Sequence, residues 1–377
     1  MGASYELGPQ RGQRRYVALD AFRGLAAFGV ALFHFRWIDP ALQQSTIVGG
    51  LDMLVDFFFV LSGFVLTHAY FGRDDSMAQF VGRRLARLYP MHLFALLMFL
   101  VLQGLKMVVE TWGGDTRHHA FDGLNVANFA DTLLLLQSTG LLWHEISWNA
   151  PSWSISTELF ANLLVFALLV LLGRRQLNLI CGVLLVCIIG FFMAANIGPH
   201  DYGPLALLRC IAGFCLGCLV HELFVSTRHN KLVGAGAPSL AATGAEALAL
   251  VAMLSGILAK PLTGIWFSSS FSFAIVIYVF AFEAGLISRA IERTGLAWFG
   301  TISYSVYLNH IFVGSLLSGA FLAVAGRIGL TGPLKIMVYV ALFFTVLSVY
   351  SWLTYRCIEL PAQRYFSPRR KTVAALA

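Results

Sequence analysis

Runs of about 20 predominantly apolar residues, the length needed to cross a bilayer's hydrocarbon core, recur from one end of this 377-residue chain to the other. They fall near 17–37, 51–70, 90–109, 154–172, 178–196, 204–224, 241–259, 265–284, 299–325 and 333–355. Only 12% of residues are charged and 58% are hydrophobic, whereas a soluble domain carries roughly 25% charged residues. The chain therefore reads as an all-α polytopic membrane protein, a bundle of about ten transmembrane helices. Another apolar piece near 128–142 is too short to span and reads as a re-entrant or interfacial segment.

The net charge of +7 does not indicate nucleic-acid binding, because the basic residues sit in short clusters between apolar runs. Membrane orientation explains them better. With the N-terminus inside, the inner connections collect clusters such as Arg11/Arg14/Arg15, Arg83/Arg84/Arg87, Arg174/Arg175, Arg289/Arg293 and Arg369/Arg370/Lys371. The outer side receives only Arg36, Lys106, Arg117, Lys260 and Arg327. By the positive-inside rule both termini are expected in the cytoplasm. The first apolar run exceeds the usual ~7–15-residue core of a signal peptide and reads as an uncleaved helix. Cys215 and Cys218 form a CxxC inside an apolar run, with no second pair, and read as helix packing.

Polar side chains at membrane depth are costly and mark functional sites. Arg23 and His34 lie eleven positions apart in the first span. At ~100° per residue that offset returns to within about 20° of the same helix face, with an axial separation of about 16 Å. In the second span, "VDFFFVLSGF" contains Asp56 and ends at Ser62-Gly63. A buried carboxylate needs a partner, and Arg23 is the expected one. "RRLARLYP" places Arg84 and Arg87 three apart on one face, and paired guanidinium forks suit phosphate groups. "APSWSISTELF" carries Glu158 a turn or two into the fourth span, at the level expected for His34. "WFGTISYSVYLNH" supplies Tyr304, Tyr307 and His310. Polar groups in five spans point to a cavity running through the bundle. His118, His119, Asp115 and Asp122 have no zinc-ligand spacing, and no metal is expected. "HFRWID" fits an H-x4-D pattern but straddles the end of a span.

In this order, the stretches resemble the acyltransferase-3 family of integral membrane acyltransferases. The matching elements are R-x10-H (Arg23, His34), "DFFFVLSGF", the R-x-x-R before Tyr-Pro (Arg84, Arg87), W-S-x-S-x-E (Trp153 to Glu158), "SYSVYLNH", and the closing "IELP" with Glu359 and Pro361. The resemblance divides the chain into a cytoplasmic segment at 1–16, an acyltransferase-3-like transmembrane domain at 17–361 and a basic cytoplasmic tail at 362–377. One departure is "ELFAN", where many relatives follow the glutamate with further polar residues, so no second acidic role is expected there.

The resemblance implies a multi-pass protein of the cytoplasmic (inner) membrane. It would move an acyl group, acetyl in the first instance, from cytosolic acyl-CoA to a hydroxyl of an extracytoplasmic or membrane-associated carbohydrate or glycolipid. Family counterparts of Arg23, His34, Arg84 and Arg87 are implicated in activity. The expected arrangement has acyl-CoA phosphates at Arg84 and Arg87, with the pantetheine arm passing Arg23. His34 would act as general base with Glu158 orienting it, and Tyr304, Tyr307 or a backbone N–H would face the oxyanion. Asp56, Ser62 and His310 are expected in the same cavity. The rival reading is a secondary transporter with a polar intramembrane site.

Overall fold

The polar backbone of a chain in hydrocarbon must satisfy itself locally, and apart from short connections the described residues are helical. The computed structural model describes residues 15–70, 75–114, 116, 119–141, 148–196, 203, 205–228, 239–263 and 267–366. Among these there is no strand. The long helices are α1 (Val17–Phe35), α2 (Leu54–Tyr70), α3 (Met77–Thr111), the short α4 (Val126–Leu133), α5 (Trp153–Ala195), α6 (Ala206–Thr227), α7 (Leu240–Thr263), α8 (Phe267–Phe280), α9 (Leu286–Thr294), α10 (Ala297–Arg327) and α11 (Gly332–Thr354). A π-helical turn at Tyr355–Glu359 then leads into α12 (Leu360–Phe366).

Eight helices among the described residues are long and apolar enough to cross a membrane, against ten runs expected from the sequence. Two features account for the difference. The runs at 178–196 and 154–172 form one helix, α5, broken at Gly173, whose φ of 77° and ψ of 175° suit glycine alone. The chain folds back at this point. Thr157 lies beside Cys210 of α6, and Cys181 lies beside Cys218. In a straight helix the first pair (181 − 157 = 24 residues) would lie about 36 Å apart, but their partners (218 − 210 = 8 residues) lie only about 12 Å apart. Arg174 and Asn178 both reach Glu222 of α6, at 2.7 and 3.0 Å, and pin the bend. The second feature is α8, a shorter apolar helix of 14 residues within the run at 265–284. Cys215 and Cys218 lie beside Cys181 in this packing, and all three thiols are free.

Helix α10 packs along most of α1. A Cβ on Gly300 would come within 2.1 Å of the Asp20 carbonyl oxygen, and one on Gly314 within 2.2 Å of the Phe35 ring. Small residues at both ends thus let the two backbones approach closely. Helices α2 and α6 meet in the same way and share the one expected partner that differs. Asp56 does not pair with Arg23. Its carboxylate takes a two-pronged ion pair from Arg209 of α6 (Nε to Oδ1 2.9 Å, Nη2 to Oδ2 2.8 Å), with both side chains almost fully buried. Trp153 lies under the guanidinium, 6.0 Å from its ring centroid.

Within the piece near 128–142, the described residues form the end of helix α4 and the turns after it, packed among the helices of the bundle. Helix α4 is capped by Asn125, whose carbonyl also accepts from Trp148 Nε1 at 3.0 Å. The carbonyls at its C-terminal end would be orphaned in apolar surroundings. They are met by side chains of the flanking helices: Tyr89 on Leu133 O (2.6 Å), His92 on Thr132 O (2.8 Å) and Ser156 on Leu135 O (2.6 Å). Tyr89 lies twelve positions into α3, about 18 Å from its start, so the segment reaches well into the bundle. Pro90 lies within α3 beside it. Proline has no N–H to give Ala86 and weakens the helix there.

Removing one partner of a buried ion pair strands the other charge, at a cost of about 3–5 kcal/mol. Asp56→Asn or Arg209→Met alone should therefore lower the melting temperature of the detergent-solubilised protein sharply. The double variant Asp56→Leu/Arg209→Met should recover most of the loss. Single variants that melt with the wild type would show that the pair does not hold α2 to α6.

Candidate active site

Five helices contribute to one cavity with about 800 Å³ of atom-free space, counting its mouth. Arg23 comes from α1, Ser62 from α2, Arg84 and Arg87 from α3, Glu158 from α5, and Ser303, Tyr304 and Tyr307 from α10. The local sequence explains this convergence. Arg84 and Arg87 are neighbours on one face of α3, and Ser303 and Tyr307 share a face of α10.

One carbonyl and three carboxylates organise the cationic end. Arg23 donates through Nε and Nη2 to Gly300 O at 3.2 and 2.6 Å, and Nη2 lies 3.2 Å from Asp20. Ser303 donates to the same carbonyl at 2.9 Å. Glu158 accepts from Ser62 at 2.9 Å, and its field reaches Arg84. Glu359, held by Ser305 at 2.6 Å, acts electrostatically on Arg87 and Arg23. Arg84 sits over the Phe80 ring at 5.4 Å, and its buried Nε has no hydrogen-bond partner among the described residues. Two of the cations repel each other, since Arg84 and Arg87 share one helix face. A cluster of guanidinium groups with spare donors is suited to a polyanionic ligand.

At the other end of the cavity, Ser154 and Tyr307 hydrogen-bond through their hydroxyls at 2.8 Å, and Phe58 packs on Tyr307 with ring centroids 5.9 Å apart. Tyr304 donates its hydroxyl proton to Leu88 O at 2.7 Å. It is therefore committed and not placed to donate to an oxyanion. Tyr307, bonded to a hydroxyl that can serve as donor or acceptor, keeps that capacity.

His34 and His310 do not line the cavity. They form a pair beside it, with ring centroids 5.0 Å apart and planes 37° apart, and Tyr307 links the two regions, 5.9 Å from the His310 ring. The expected Glu158–His34 contact is not made, because Glu158 is engaged by Ser62. The carboxylate whose field reaches His34 is Asp52, and Arg36 opposes it. Asp56 belongs to the ion pair with Arg209, away from both groups.

Sequence reading missed Arg209 and Asp52. The signal for Arg209 was present, since "LLRCIAGF" places a lone arginine inside a span while Asp56 stands alone in another. Of the loop residues considered as metal ligands, Asp115 and His118 lie outside the described residues, and His119 is largely exposed beside Glu110. Among the described residues no three His, Cys, Asp or Glu side chains converge as metal ligands.

Comparison with known proteins gives these features a context. A stretch of 175 residues is 34% identical to Acyltransferase MdmB of Streptomyces mycarofaciens, covering 43% of this chain and 41% of that protein. The match thus spans less than half of that relative's length. Protein 2 in the picA locus of Rhizobium radiobacter is 33% identical over 162 residues, 39% of this chain and 79% of the relative. Exopolysaccharide production protein ExoZ of Rhizobium meliloti (strain 1021) is 26% identical over 325 residues, 84% of this chain and 91% of the relative. No solved structure matches. The model of the acyltransferase-3 family, described as an acyltransferase domain, matches residues 16–355. The chain belongs to the acyltransferase-3 family and is a multi-pass membrane acyltransferase.

Proposed function

We propose that this protein transfers an acyl group, acetyl in the first instance, from acyl-CoA to a hydroxyl of a carbohydrate or glycolipid acceptor. The observation that carries the reading is the convergence of Arg23, Arg84 and Arg87 on one cavity whose far end lies beside the His34–His310 pair. Phosphates of the donor bind the guanidinium groups, and the pantetheine arm extends toward Ser154 and Tyr307. The rise from Arg23 to His34, about 16 Å or three helical turns, matches the reach of such an arm. His34 removes the proton from the acceptor hydroxyl as its oxygen attacks the thioester carbonyl, and Tyr307 faces the developing oxyanion. The name of one relative, an exopolysaccharide production protein, supports a carbohydrate acceptor.

In this reading both termini face the cytoplasm, the protein sits in the cytoplasmic (inner) membrane, and the donor enters from the arginine end. Proteoliposomes with labelled acetyl-CoA on one side and oligosaccharide acceptors on the other test it directly. Free-thiol release with label on the acceptor is the expected result. Solute movement without acyl transfer would favour the transporter reading instead.

Arg84→Ala or Arg87→Ala should raise the KM for acyl-CoA about tenfold or more, since a charge-assisted hydrogen bond is worth about 1.5–3 kcal/mol. Expression and melting temperature should stay near wild type. Unchanged donor affinity in both variants would reduce the pair to membrane anchors.

His34→Ala should reduce single-turnover transfer by about 10²–10⁴-fold, the range for general-base assistance, with acyl-CoA binding near normal. His34→Gln should fail equally, because an amide cannot accept the proton. A loss near tenfold in either variant would point to a positional role.

A further inference from the structure

In a neutral imidazole one nitrogen donates and the other accepts, so a histidine base works only when its lone pair faces the substrate. Usually a carboxylate fixes that choice by accepting the other N–H. Among the described residues nothing of the kind is bonded to His34. Its ring meets Phe33 at 5.3 Å and His310 at 5.0 Å, and the nearest candidate acids are committed to Ser62 or act only through their field.

His310 is arranged to supply the missing acceptor. It is fully buried, and its Nδ1 lies 2.6 Å from the Tyr307 carbonyl oxygen one turn back in α10. A carbonyl can only accept, so Nδ1 carries the proton and Nε2 carries the lone pair. Nε2 sits on the far side of the ring from that carbonyl and has no hydrogen-bond partner among the described residues. A buried acceptor left open in a bundle interior needs an explanation, and the polar group packed against the ring is His34. The close approach of α1 and α10 through Gly300 and Gly314 holds the two rings together.

We propose that His310 is the positioning residue of this site: its open Nε2, beside the packed His34 ring, accepts the N–H of His34 once substrates are bound and fixes the His34 tautomer that presents a lone pair to the acceptor hydroxyl. The proposal rests on the reading of His34 as the base. In the step, the acceptor O–H bond breaks and its proton moves to the free nitrogen of His34. The oxygen bonds to the thioester carbonyl carbon, and the resulting intermediate collapses with loss of the C–S bond. The leaving thiolate then takes the proton from His34. His310 keeps its Nδ1 proton throughout and accepts the hydrogen bond that the His34 imidazolium strengthens. The Tyr307 carbonyl, His310 and His34 thus form a chain in which a backbone acceptor and a second imidazole replace the customary carboxylate. Asp52 and Arg36 face His34 with opposite charges, and His34 is the only titratable group among those whose field acts on His310.

The test uses the full-length protein with labelled acyl-CoA under single-turnover conditions. His310→Leu should lower the rate about 10²-fold while the KM for acyl-CoA stays within about twofold, because positioning acts on the chemical step. His310→Gln, whose amide can donate to the Tyr307 carbonyl and still offer an acceptor, should regain about tenfold of that loss. In a His34→Ala background, His310→Leu should cost nothing further, since groups acting as a unit are non-additive. Nitrogen-15 spectra of histidine-labelled protein in bilayers should show one His34 tautomer in the wild type and in His310→Gln, and a mixture in His310→Leu. If His310→Leu misfolds, the Gln variant and the spectra carry the comparison. An inactive His34→Ala beside a His310→Leu within about threefold of wild type would overturn this proposal alone. So would an unchanged His34 tautomer, a raised KM, or a His310 effect that persists without His34. A fully active His34→Ala would instead overturn the assignment of the base, and this proposal with it.

Discussion

The hydrogen bonds from Arg23 to the Gly300 carbonyl join the two helices on which the rest of the site depends. A charged guanidinium at membrane depth is tolerated only with internal partners, and α1 and α10 provide them because nothing larger than glycine separates their backbones at that point. The same apposition sets the height of Ser303 and Tyr307 against the cavity and brings His310 to His34 further along. One packing contact thereby fixes both the cationic end and the imidazole end of the site.

The helical membrane architecture was legible in the sequence because hydrocarbon imposes a length requirement that apolar runs record directly. Its finer geometry was not. Two consecutive runs look the same in sequence whether a loop or a sharp bend joins them, and only the backbone angles at Gly173 show the bend. That the 128–142 piece is too short to span could be read from the sequence. Which side chains satisfy its carbonyls could not, because Tyr89, His92 and Ser156 lie far from it in the chain.

For the site, periodicity correctly placed Arg23 and His34 on one face of α1, and it placed Arg84 beside Arg87. It could not assign partners between helices. Asp56 looked like a match for Arg23 because Arg209 was hidden in an otherwise apolar run. Glu158 looked level with His34, but helix rotation directs it to Ser62 and toward Arg84. Depth along a helix can be counted from sequence, whereas azimuth relative to a neighbouring helix depends on packing. That is why the set of polar residues was visible and its internal pairing was not.

Helix α3 carries Arg84 and Arg87 on one side of Pro90 and His92, which holds a carbonyl at the end of α4, on the other. Pro90 has no amide hydrogen to offer the Ala86 carbonyl, so the ladder of backbone hydrogen bonds is broken once between them. The arm bearing the two arginines and the arm held by the carbonyl clamp thus meet at the turn of α3 that lacks this backbone hydrogen bond. A single proline thereby marks the boundary between the part of α3 that serves the cavity and the part that serves the chain's own backbone.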